Sequence, residues 1–169
     1  MKWLNVIIAT ILGVSLFILD MKTGVISYLF VMPSVITIAI ITGIVAMDIG
    51  EGFVSVALYM AIGVTLIVLL QPIILPEWGE IPADIPSMYM VVILLSVEKS
   101  LGFSSWPWLL FPLVVILLYI LAPIIYFIAL LLSLLGGLIG RVIARVVFKR
   151  VPSAQPEAGT PPSDTGVLE

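Results

Sequence analysis

The sequence predicts an all-α integral membrane protein: a bundle of four transmembrane helices with a short extra helix, re-entrant or interfacial. Three observations carry that expectation. First, no charged residue occurs between Leu101 and Gly140, and Lys99 and Arg141 flank the run. At 1.5 Å per residue, a helix over its densest part, Leu109 to Leu135, exceeds the ~30 Å hydrocarbon core of a bilayer. Second, apolar residues make up 62% of the chain and charged ones 10%. Soluble domains average roughly half and a quarter, so lipid is the expected solvent for most of this chain. Third, Arg141, Arg145, Lys149 and Arg150 follow the apolar run at once. By the positive-inside rule they hold the C-terminus in the cytoplasm, in a multi-pass protein of the cell membrane.

Composition narrows the chemistry. The chain has no cysteine and no histidine, which excludes disulfides, thiolate metal sites and the commonest general base and metal ligand. The metalloprotease, nucleophile-elbow, phosphate-loop and dinucleotide-binding signatures are all missing, so the sequence calls for no enzyme activity, cofactor or metal. The net charge of −3 says little, because the basic residues cluster beside the last apolar run. Lipid, not nucleic acid, suits that cluster.

The elements follow in order within a polytopic domain over 1–150. Trp3 to Leu19 reads as a first, minimal span, with Trp3 as an interface anchor and Lys2 snorkelling. Asp20-Met21-Lys22 follows where a signal peptide would carry a small-residue cleavage site, so the span is expected to be uncleaved. The short turn to Gly24 sends the next helix back antiparallel. Val25 to Met47 is the second span. Pro33 is expected to kink it and to free the Leu29 carbonyl, with Ser34 and Thr37 close enough to satisfy that group. Ala39 and Gly43 form a small-xxx-small pair that invites close helix approach.

Asp48 to Gly52 is an acidic, Gly-rich turn, and Phe53 to Leu75 is the third span. Pro76 to Pro86 reads as a loop rich in proline and acid, without basic residues, which suits the non-cytoplasmic side. Met88 to Val97 is a ten-residue apolar stretch with Ser87 as its expected N-cap and Glu98-Lys99 at its end. A helix of that length reaches about half-way through a bilayer. Ser104 to Trp108 has the interfacial look of tryptophans beside a helix start. The last span, about Leu109 to Leu135, has Pro123 as an expected kink freeing the Tyr119 carbonyl. Gly136 and Gly140 make a further small-xxx-small pair. Arg141 to Arg150 continues as a short basic helix, and 151–169 has the composition of a disordered cytoplasmic tail.

The positive-inside count does not choose between four and five spans. With four, Lys2 joins the four C-terminal basic residues, and Lys22 and Lys99 face out; with five, Lys22 replaces Lys2. Both give five against two. Helix length favours four. A weak internal repeat pairs Leu12-Gly13-Val14-Ser15-Leu16 with Ile62-Gly63-Val64-Thr65-Leu66, which would make spans one and three parallel equivalents.

Glu98 and Lys99, beside the half-helix, are the first candidate functional residues: they mark a pore entrance or gate, or an ion pair closing an interfacial helix. Pro33 with Ser34 and Thr37, and Pro123 with Tyr119 and Tyr126, are candidate broken-helix sites for an ion or small solute, or ordinary kinks and packing. Asp20, Asp48 and Glu51 are expected as solvated helix caps. Arg141, Arg145, Lys149 and Arg150 are expected to contact anionic lipid headgroups. The leading expectation is a non-enzymatic accessory or scaffold subunit of a membrane assembly. It would associate through its small-residue faces with itself or another membrane protein. The alternative is a small oligomeric channel or transporter.

Overall fold

Helix formation runs on past the acid expected to end the first helix. In the computed structural model, which describes residues 3–30, 32–74, 84–101 and 111–148, helix α1 is Trp3–Thr23. It therefore takes in most of the expected turn. Gly24 then reverses the chain with φ +68°, a left-handed conformation that glycine adopts without steric penalty. Its N–H closes on the Asp20 carbonyl at 2.7 Å.

The expected second span, 25–47, is broken rather than kinked. A five-residue helix, α2 (Val25–Leu29), ends at Phe30 in extended conformation, and α3 (Ser34–Ala46) starts afresh with Pro33 as its N-cap. Proline disfavours the helical conformation in the residue before it, and its missing N–H is harmless at a helix start. At 13 residues, α3 is about 20 Å long.

Met47 caps α3 with φ 58° and Asp48 is extended, which turns the chain into α4 (Ile49–Leu69). The Asp48 carboxylate accepts the Gly50 N–H at 3.0 Å, an N-cap bond. The acidic Gly-rich stretch is thus mostly the first turn of α4, not a loop, and the expected span 53–75 is cut at Leu70. A four-residue helix, α5 (Gln71–Ile74), follows.

Helix α6 (Ile85–Leu101) has 17 residues where ten were expected. Asp84, not Ser87, supplies the cap: its Oδ2 accepts the Ser87 N–H at 3.1 Å. Helix α7 (Phe111–Phe148) has 38 residues and passes through Pro123 and Gly136-Gly137 without a break. The basic stretch is its final turns rather than a separate helix. Lys149, Arg150, the 76–83 loop, Trp106 and Trp108 and the tail 151–169 lie outside the described residues.

The described residues are all helix and connection, with no strand among them. Three helices, α1, α4 and α7, are long and apolar enough to cross a membrane. Helices α1 and α4 pack side by side and parallel: Asn5 meets Glu51, Ser55 meets Val6, and Phe17 meets Gly63. The two segments of the weak repeat do matching work there. A Cβ on Gly13 would lie 2.9 Å from the Tyr59 ring, and one on Gly63 would lie 2.8 Å from the Phe17 ring. The two rings themselves meet with centroids 6.2 Å apart.

Helix α7 crosses α3 and the start of α4. Its packed stripe is Val114, Leu118, Ala122, Ile125, Ala129 and Ser133, continuing into Gly136, Gly137 and Gly140. Large side chains such as Ile116, Ile120, Phe127 and Leu131 are exposed on its other face. From Ala129 onward small residues point in and large aliphatic ones point out, which reverses the usual size order of a water-soluble helix.

Candidate functional site

Three groups of residues build the functional features of the bundle. The first is the crossing of α3 and α7. A Cβ on Gly43 would lie 2.6 Å from the Ser133 carbonyl oxygen, and one on Gly136 would lie 2.6 Å from that of Ile40. Backbones touch here, and the small-residue pairs expected to recruit another molecule are consumed inside the chain. One end of the crossing is clamped by an ion pair between Arg141 and Asp48, each side chain about 40% exposed. The Arg141 guanidinium holds the Asp48 carboxyl below its usual range, opposed by slight desolvation and helped by the Gly50 N–H. Arg141 is therefore paired with Asp48 while its side chain stays part-exposed. Arg145, one turn on, is exposed.

The second group corrects the reading of the acids as solvated caps. Asp20 is 2% exposed. It does cap α2: its two oxygens accept the Ser27 N–H at 2.9 Å and the Ser27 hydroxyl at 2.8 Å. Glu51 is buried too, and Asn5 donates to it at 3.5 Å. Ser34 and Thr37 are buried at the start of α3. The Tyr59 hydroxyl reaches in beside them and donates to the Val35 carbonyl at 3.0 Å. Pro123, by contrast, is exposed on α7.

The third group is where two sequence candidates meet. Helix α6 packs into the bundle, with Val92, Val97 and Ser96 buried. Two hydroxyl pairs hold it: Tyr89 donates to Thr65 at 3.0 Å, and Ser96 and Tyr126 lie 2.9 Å apart. Lys99 turns back and donates to the Met21 carbonyl in the last turn of α1. Between α6 and α7 a groove of about 270 Å³ remains, lined by Val91, Leu94, Leu95, Val114, Val115 and Leu118, with Glu98 and Tyr119 as its polar members. Tyr119 is 49% exposed and marks the mouth. Glu98 has no hydrogen bond or ion pair with a described residue; burial pushes its carboxyl above the ordinary value, opposed by the charge of adjacent Lys99, whose ammonium is held on Met21. The arrangement suits binding of an apolar body with one polar contact. Among the described residues no cluster of three or more acids or other ligands could hold a metal ion.

Glu98 and Tyr119 were legible as candidates, but their proximity was not. Sequence reasoning missed the Asp48–Arg141 clamp and the Tyr59 contact, because no local pattern links residues so far apart in the chain. Among the described residues these features define an all-helical fold with three helices of membrane-crossing length and an apolar groove between α6 and α7. The chain matches no protein-family model, no curated protein and no solved structure.

Proposed function

We propose that the protein is a multi-pass protein of the cell membrane, with both termini cytoplasmic and four crossings. In this reading α1, α4 and α7 cross as single helices, and α2 and α3 together form the fourth, discontinuous crossing. The exposed aliphatic face of α7 supports it, because only lipid solvates such a face. In that frame the protein is a non-enzymatic accessory or scaffold subunit. The observation that carries this is the closed α3–α7 crossing beside a broad exposed apolar face: backbone contact at Gly43 and Gly136 leaves no space there for a conduit, whereas Ile116, Ile120, Phe127 and Leu131 on the outer face of α7 are left for neighbours in the membrane. Arg145, and Lys149 and Arg150 beyond it, then face the anionic inner leaflet.

Gentle solubilisation of native membranes and affinity capture of the full chain test the reading. The expected result is a partner that co-purifies in fixed ratio; a clean monomer overturns it. A reporter fused after Glu169 is expected on the cytoplasmic side.

A second reading, a small transporter, draws on the break at Phe30 to Pro33. Discontinuous helices line the substrate sites of many transporters, and Ser34 and Thr37 start the second piece. Solute flux into proteoliposomes containing the purified chain alone would favour it over the first.

A further inference from the structure

We propose that the α6/α7 groove binds a membrane lipid whose headgroup carries a primary ammonium, the acyl chain lying in the groove and the ammonium on Glu98. The inference rests on the membrane reading above and goes beyond it by naming the occupant. Three observations converge on it.

The first is the lining. Six aliphatic side chains form the walls, and the polar contacts are one carboxyl and one phenol. A carboxylate accepts hydrogen bonds and a phenol both donates and accepts. Glu98 lacks a hydrogen-bond or ion-pair partner among the described residues, and Lys99 is held away from it on the Met21 carbonyl. No cation lies among the groove's own lining residues, so the complement to Glu98 inside it is a cation that donates hydrogen bonds. A primary ammonium does both, whereas a quaternary ammonium donates none.

The second is the shape. Val91 to Glu98 and Val114 to Tyr119 each cover about 12 Å of helix or less at 1.5 Å per residue. A partner helix with its side chains is itself about 10–12 Å wide. The groove is thus no longer than a helix is thick, so it seats a chain rather than a transmembrane segment.

The third is the level. Lys99 bonds Met21, two residues before α1 ends at Thr23. Glu98 therefore lies near the height at which α1 leaves the bundle, on the side opposite Asp48. In a bilayer that height is the headgroup region, and the acyl chain would run inward from it.

Native mass spectrometry of the detergent-solubilised full chain tests this. The probes are phosphatidylethanolamine, phosphatidylcholine and phosphatidylglycerol of equal chain length, each offered in turn. The wild type is expected to retain the ethanolamine lipid roughly tenfold better than either other, the scale of one charge-assisted hydrogen bond. Glu98→Gln is expected to abolish the preference while leaving residual lipid binding. Val115→Phe, which fills the groove without touching Glu98, is expected to lower binding of all three. Equal retention of the three lipids by the wild type overturns the proposal, as does a preference that survives in Glu98→Gln. A polypeptide retained by the wild type and lost in Val115→Phe would place a protein partner in the groove instead, and also overturns it. A chain that stays monomeric in buffer without detergent would sink the membrane reading itself, which the lipid comparison alone does not.

Discussion

Gly136 and Gly50 show how one residue type does opposite work at two positions. A Cβ on Gly136 would lie 2.6 Å from the Ile40 carbonyl oxygen and 3.2 Å from the Gly43 Cα. Neither is the end of a flexible side chain, so two helices must move apart. Gly136→Ala is expected to cost about 1–3 kcal/mol, the range for forced overpacking. A Cβ on Gly50 meets only the Asp48 carboxylate at 3.7 Å. In that first turn of α4, Gly50→Ala gains helix propensity and is expected to stabilise by up to about 1 kcal/mol. Thermal unfolding of the two variants in the same detergent checks both signs. A neutral Gly136→Ala would mean that the α3–α7 contact is looser than described. The sequence showed Gly136 as half of a small-residue pair. It could not show that the partner of that pair is Gly43 of the same chain, because pairing across about 90 residues leaves no periodic trace.

Elements are held to one another by a few polar contacts within an apolar interior. The clamp between the α4 N-terminus and α7, Asp48 with Arg141, has a pH signature whose sign follows from its shift. The Asp48 carboxyl lies below its ordinary value because of Arg141. Its contribution is therefore complete above the ordinary carboxylate range, roughly pH 4, and is lost as pH falls through the lower folded value. Both side chains are about 40% exposed, so the pair contributes at most about 1 kcal/mol. Unfolding temperatures of wild type and Arg141→Gln are expected to differ near pH 6 and to converge only as pH falls below the ordinary carboxylate range. A gap that persists at the acid end would show that Arg141 acts through packing alone. At this scale the sequence located most helices but misplaced their ends. Asp84 displaced Ser87 as the cap of α6, and Pro33 began a helix instead of bending one. Both outcomes depend on which conformation the neighbouring helices stabilise, which local preference does not settle.

Among the described residues many large apolar side chains face outward, those of α7 above all. Ile120 is 60% exposed on the outer face of α7. In water, a lysine there would change stability by no more than about 0.5 kcal/mol, as surface substitutions usually do. Against lipid at mid-helix it costs roughly 2.5–3.5 kcal/mol. Ile120→Lys is therefore expected to lower the yield of folded protein in the membrane fraction sharply. Unchanged yield and unfolding temperature would place that face in water or against protein.

By itself the sequence determined the helical class, three of the four long apolar segments it offered, and the residues with polar or charged groups near them. Composition and hydrophobic run length act locally, residue by residue, so they can be read along the chain. Tertiary structure alone decided that the glycine pairs close on each other, that Asp20 and Glu51 are buried, that Arg141 belongs to Asp48, and that Glu98 and Tyr119 share a groove. Each of these is a distance between segments remote in the chain, and such distances are set by how helices pack, not by the order of residues within any one of them.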